Sequence, residues 1–127
     1  MRARKCNTYR SIFGITMHTT NKDLRRYEEL MKNTGCCITG RYDDVHFHHF
    51  LGRKAKHNKQ HIGGHFGIPL HTDLHLVTGS HPLAYHKSKR AFIEEFGQPR
   101  DLWRAAYDRI DYYIHDDIVD AIMSIYV

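Results

Sequence analysis

Twelve histidines occur in this chain, and ten of them lie between His46 and His86. The cluster is internal and spaced out, so the stretch uses imidazole for its chemistry. A neutral imidazole offers two services near pH 7: a nitrogen donor to a divalent ion and an acceptor for a proton. The adjacent pair His48-His49 and the later His75 are the residues of greatest interest. Side chains alternate along a strand. If the pair ends a strand, one histidine can ligate an ion while its neighbour faces the other way and acts as a base. His75, on a helix after a second strand, would return another ligand from the opposite wall. Hydrolysis of a phosphodiester needs this division of labour: a deprotonated water, neutralisation of the extra negative charge, and help for the departing oxygen.

The elements that must position these residues can be read from the pattern. Thr20-Asn21 offers an N-cap with Asp23 in the first turn. Leu24, Tyr27, Leu30 and Met31 recur at helical spacing and Gly35 supplies the stop, which predicts a helix over 21–33. Upstream, residues 7–18 are expected to form a short strand or an arm. Residues 37–40 read as a tight turn or knuckle. Val45-His46-Phe47-His48-His49-Phe50 has strand character. Residues 51–64 lack an apolar period and read as a basic, glycine-bounded loop. His65 to Leu70 is a second expected strand, and His71 to Val77 a short helix closed by Gly79. A further helix is expected to begin at Pro82 and run to Gly97. Asp101 would cap a last helical region, in which Leu102, Ala106, Ile110, Ile114, Ile118, Ala121 and Ile125 keep a period near 3.6.

The chain has 127 residues and a formal net charge of +5, which fits one domain. The charge is uneven. Residues 1–64 carry 13 Lys and Arg against 5 Asp and Glu, whereas residues 65–127 carry 6 against 9. A basic front half suits a polyanionic partner, with nucleic acid the commonest. In the loop after the first strand, Arg53, Lys54, Lys56 and Lys59 are the expected phosphate contacts. Cys6, Cys36 and Cys37 do not form a secreted disulfide framework, which argues for a reducing, intracellular setting. No apolar run approaches the ~20 residues of a membrane span, so no membrane partner is expected. Met1-Arg-Ala-Arg-Lys has no apolar stretch behind it and does not read as a signal peptide.

Val45-x-x-His48-His49, a loop, then Ile68-Pro69-Leu70-His71-Thr72-Asp73-Leu74-His75, resembles the ββα-metal or HNH endonuclease superfamily. Within it, the phage Ref type of RecA-dependent recombination nucleases is the nearest in pattern. Tyr85-His86, followed by Phe92 and the ending Phe96-Gly97, is similar to that family's aromatic and acidic close. The resemblance spans about residues 36–97. It implies an α+β fold: a ββα-metal core at 36–97, flanked by helical segments at 1–35 and 98–127. It implies a DNA endonuclease using one metal ion and a histidine base, in phage DNA recombination and inside a phage-infected or bacterial cell. His48 then matches a metal ligand, His49 the general base, His75 the helical ligand and His86 the second downstream ligand. The implied cofactor is Mg²⁺ or Mn²⁺, with Zn²⁺ as a third candidate. DNA is the implied partner, with a recombinase filament as a second.

The chain departs from the family pattern between its last two histidines. His75 and His86 are eleven residues apart, where the family keeps them about one helical turn apart. The insertion from Leu76 to Pro82 contains His81, so His81 and His71 both rival His86 for the third ligand. His71 stands where the family has a cysteine of a structural zinc site. Cys37 is followed at the matching distance by Gly40, so a four-cysteine site is not expected, and only a partial one using Cys36 or Cys37 with His71 could form. His65 falls near the family's asparagine. His18, His46, His57, His61 and His115 read as surface histidines. The rival functions are a zinc-stabilised nucleic-acid-binding module without catalysis, and a metal-storage or metal-sensing protein.

Overall fold

The computed structural model describes residues 20–76 and 81–127. The strand or arm expected at 7–18, together with His18, lies outside them. The first helix among the described residues, α1 (Asn21–Asn33), has the bounds its sequence signals require. Asp23 N–H donates to Thr20 Oγ1 at 3.1 Å, and Thr20 N–H donates back to Asp23 Oδ2 at 3.5 Å. This reciprocal box satisfies amides that the first turn would leave open. The helix buries Tyr27 and Met31, one turn apart on a single face.

Strand β1 (Val45–His49) pairs antiparallel with β4 (Gly67–His71) in a two-stranded sheet. The register sets His48 opposite Ile68 and Phe47 opposite Pro69. Proline has no N–H to donate, so it tolerates only an outward-facing position. Pro69 meets this condition, because its carbonyl turns away from β1 and accepts Cys37 N–H at 3.0 Å. That bond ties the 36–40 knuckle to the sheet. A Cβ at Gly67 would collide with the His48 carbonyl oxygen and the Phe47 ring, so only glycine lets the strands close here. The second strand begins at Gly67 rather than His65. Phe66 N–H and His65 N–H both return to Ile62 O, at 2.8 and 3.0 Å, which holds residues 62–66 in a turn.

The basic segment is not an irregular loop. It contains a hairpin of β2 (Lys56–His57) and β3 (Gln60–His61). Asn58 and Lys59 form its two-residue turn with φ of 50° and 66°, the sign pattern that matches the twist of paired strands. The tip rests on the C-terminal end of the chain's last helix: Asn58 Nδ2 donates to Ser124 Oγ at 3.2 Å, and His57 Nε2 lies 2.9 Å from the same oxygen.

Directly after β4 comes a single helical turn, α2 (Thr72–His75), shorter than the span expected to reach Val77. Leu76 has already left the helix, with φ −91° and ψ 146°. The next helix, α3 (Lys89–Phe96), starts at Lys89 and not at Pro82. Ser88 Oγ accepts Ala91 N–H at 3.2 Å and is the better cap. Residues 81–88 instead form turns latched to α2 through Tyr85 N–H and Leu74 O, 2.7 Å apart.

The last helical region is two helices, α4 (Pro99–Tyr107) and α5 (Asp116–Met123). Pro99 occupies the first turn of α4, so Asp101 is a first-turn acid and not its cap. The interruption is held by Tyr107 Oη, which accepts Ile114 N–H at 2.8 Å. His115 then caps α5 by accepting Asp117 N–H on Nδ1.

The centre of the fold is Trp103, which is fully buried. Its indole N–H reaches both Tyr27 Oη and the His65 carbonyl at 2.9 Å, and Tyr27 O–H donates to that carbonyl at 2.6 Å. Helices α1 and α4 are thereby joined to the segment that enters β4. The architecture is of the mixed α+β class. No helix among the described residues is long and apolar enough to cross a membrane.

Candidate metal centre

Alternation along β1 sorts its residues into two faces. His46 and His48 point one way, towards α2 and the 81–88 turns. Phe47 and His49 point the other way, towards α1. On the first face, His48 meets His75 from α2 and His86 from the turn before α3. One ring nitrogen from each of the three lies within 4.8 Å of the others. Ring centroids are 4.7 Å apart for His48 and His75, 5.2 Å for His48 and His86, and 5.0 Å for His75 and His86.

His48 is 1% exposed, and its Nε2 is buried without a hydrogen-bond partner. A buried polar atom without a partner costs roughly 1–3 kcal/mol, and bonding to a cation is one way to relieve it. The electrostatics agree. Burial, reinforced by the nearby His75, His86 and His49, pushes the His48 imidazole down to about 3. Burial, then His86, His46 and His49, pushes His75 down to about 4. Both rings are therefore neutral at pH 7, the state a ligand requires.

These shifts have a stability consequence. An unfolded histidine titrates near 6.5. Between there and the folded values the unfolded chain binds more protons, so stability falls as pH falls. In metal-free protein, each of the two rings should lose about 1.4 kcal/mol per pH unit below about 6.5. Urea midpoints in EDTA should drop steadily from pH 6.5 to 4. A flat profile would show that the folded protein accommodates the charged rings.

Of the three rivals for the third position, the structure brings only His86 to His48 and His75. His81 turns its Nδ1 to Leu83 N–H at 3.0 Å. His71 caps α2 instead, accepting Asp73 N–H on Nδ1 at 3.1 Å. His71 also forms a second grouping with Asp43 and Asp44. That grouping does not suit a cation. With Nδ1 accepting a hydrogen bond, the neutral ring carries its proton on Nε2, the nitrogen that faces Asp43 at 3.7 Å. Arg41 already neutralises Asp43 through contacts of 2.6 and 3.1 Å.

Neither cysteine of the knuckle belongs to a metal-capable group among the described residues. Burial alone would raise the Cys36 thiol, but hydrogen bonds from Thr39 and from the Thr39, His71 and Ile38 backbone bring it below its usual value. Burial, then Cys36, pushes Cys37 up to about 12. Thr39 N–H donates to Cys36 Sγ at 3.4 Å, and the knuckle is closed by backbone bonds of Cys36 N–H to Arg41 O and Gly40 N–H to Cys36 O.

His46 is a member of the site that sequence reading placed on the surface. It is exposed, yet its Nδ1 lies 3.1 Å from His75 Nδ1. That contact links the exposed His46 to a ring of the cluster through Nδ1 of His75. The signal was its two-residue spacing from His48. His65 contributes through its backbone, as described above, and its ring stacks edge-on to Tyr27 at 5.1 Å.

His49, on the far face of β1, packs edge-on to Phe47 with centroids 4.8 Å apart. Burial, then Arg53, lowers its imidazole, while Glu28 pulls the other way. Arg53 Nη1 contacts Glu28 Oε2 at 3.2 Å. Lys54, Lys56 and Lys59 are exposed on and before the hairpin. An open groove of 640 Å³ lies elsewhere, between α3 and the C-terminal tail, and shares no residue with the histidine cluster. Comparison of the chain with protein-family models, curated proteins and solved structures returns no match.

Proposed function

We propose that this chain is a metal-dependent endonuclease that hydrolyses DNA phosphodiester bonds, built on a ββα-metal core of the HNH kind. One observation carries the reading. Three imidazoles converge from a strand, a helix and a turn, while a fourth, His49, follows His48 on the opposite face of β1 and is left over for proton transfer. His48, His75 and His86 would hold the ion. Three histidines with an open fourth position form a donor set typical of catalytic zinc. All-imidazole coordination suits Zn²⁺ better than Mg²⁺ or Mn²⁺, which prefer oxygen donors. When bound, the ion would neutralise charge on the phosphate and the leaving oxygen.

The chain's own groups do the rest. His49 is neutral near pH 7 and accepts the proton of the attacking water. The burial of His48 and the contact of His46 with His75 hold the donor nitrogens in place before substrate arrives. Lys54, Lys56 and Lys59 offer charge along the substrate backbone without reading bases.

The first test is a nicking assay on supercoiled, linear and single-stranded DNA with Zn²⁺, Mn²⁺, Mg²⁺ and EDTA. Metal-dependent cleavage abolished by EDTA supports the reading. Tight binding of one zinc with DNA affinity but no cleavage would instead leave a zinc-stabilised binding module.

The lysines make a separate prediction. Each phosphate neutralised adds about −0.9 to the slope of log affinity against log salt. Changing Lys54, Lys56 and Lys59 together to alanine, and leaving Arg53 on Glu28, should flatten that slope by roughly one to three units. Binding should weaken on every sequence tested, with metal content unchanged. An unaltered slope would place the DNA on another surface.

A further inference from the structure

We infer that Glu28 is the positioning residue of His49, holding its ring as the Nε2–H tautomer and leaving Nδ1 as the nitrogen that accepts a proton; the inference rests on the reading of His49 as the base. Glu28 belongs to α1, outside the stretch that carries the nuclease-like motif. It follows the fully buried Tyr27, whose ring meets Phe47 of β1 at 5.6 Å. That contact lays α1 across the face of β1 that bears His49. Glu28 is thus brought to His49 by core packing, with Oε2 3.9 Å from Nε2.

Both groups are withdrawn from solvent, with side-chain exposures of 13% for His49 and 15% for Glu28. Acidic side chains at such burial are rarely without a function or a partner. Glu28 has two claimants, Arg53 at 3.2 Å and His49. Nε2 of His49 is buried and has no hydrogen-bond partner. A proton on that nitrogen would be an unsatisfied buried donor, and Glu28 is the acceptor placed to relieve it. At 3.9 Å the contact is longer than a hydrogen bond. Catalytic hydrogen bonds are commonly long before substrate binds and tighten in the complex. Two further contacts restrict the geometry. The edge-on Phe47 fixes the plane of the ring, and Arg53 holds the carboxylate from the solvent side. With Nε2 turned to Glu28, the lone pair that remains is on Nδ1.

The test uses the full chain labelled with ¹⁵N, reading the His49 tautomer from imidazole proton–nitrogen correlations, alongside kcat, KM and metal content. Wild-type protein should show His49 as Nε2–H. Glu28→Gln, which keeps an acceptor oxygen, should retain that tautomer and a kcat within a few-fold of wild type. Glu28→Ala should give mixed tautomers and a kcat lowered by roughly 10- to 100-fold, the usual range for a partner behind a functional histidine, with KM and bound metal unchanged. A wild-type Nδ1–H tautomer, or one unaffected by Glu28→Ala, overturns the inference whatever the activity. If the tautomer responds as expected but His49→Ala still cleaves at the wild-type rate, Glu28 positions the ring and the assignment of His49 as base is what fails.

Discussion

His49→Ala should lower the cleavage rate by about 100- to 10,000-fold, the usual contribution of a general base, with DNA affinity and bound metal near wild-type levels. The separation follows from strand geometry. His48 and His49 are neighbours in sequence but occupy opposite faces of β1, and only His48 joins the cluster with His75 and His86. Removing the His49 ring takes away a proton acceptor and no donor to the ion. Metal content by atomic emission, DNA affinity by anisotropy and single-turnover cleavage together make the measurement. Loss of metal from His49→Ala, with retention in His48→Ala, would reverse the two roles.

His48→Ala and His75→Ala should each abolish cleavage and weaken metal binding together. Loss of a partner behind a ligand already costs 10- to 100-fold in affinity, so loss of a ligand itself should cost at least about 100-fold by that comparison. His48 is the more severe case for the fold as well, because it is nearly fully buried and packs against Phe50, Tyr85, His75 and His86. His86 is exposed, so His86→Ala should show the metal defect with the least loss of stability. Calorimetric titration with Zn²⁺, paired with thermal unfolding in EDTA, separates the two effects. Wild-type zinc affinity in both His48→Ala and His75→Ala would end the reading of this cluster as a metal site.

Local signals explain which parts of the fold were legible in the sequence. Thr20 and Asp23 form a box that needs only four consecutive residues, and α1 falls where they place it. The strand bearing His48 and His49 and the one-turn helix bearing His75 also lie where their patterns put them. The misplaced boundaries have a common cause, which is competition between signals of similar strength. Pro82 and Ser88 both mark helix starts, and only Ser88 has a side-chain oxygen to accept the amide three residues ahead. The period through 102–125 is continuous in sequence, yet Tyr107 Oη captures the Ile114 amide and divides it. The Asn58-Lys59 turn was hidden because lysine is uncommon at positive φ. Within the site, His86 and His46 could not be settled by spacing alone. One joins the cluster through turns latched to α2, the other through a ring contact with His75.

The carbonyl of His65, which receives both the Trp103 indole and the Tyr27 hydroxyl, limits how this protein could be dissected or transplanted. Its two donors come from segments on either side of the histidine-bearing stretch, and the acceptor lies four residues before the strand position opposite Phe47. A fragment trimmed to 36–97 would keep every proposed ligand and the base. It would lose the hydroxyl and the indole that hold β4 in register, and with α1 it would lose Glu28. The motif is therefore not a cassette that can be lifted into another scaffold. Any graft would have to carry the surrounding helices with it, and divergence in those helices is constrained by a hydrogen-bonding role rather than by apolar size alone.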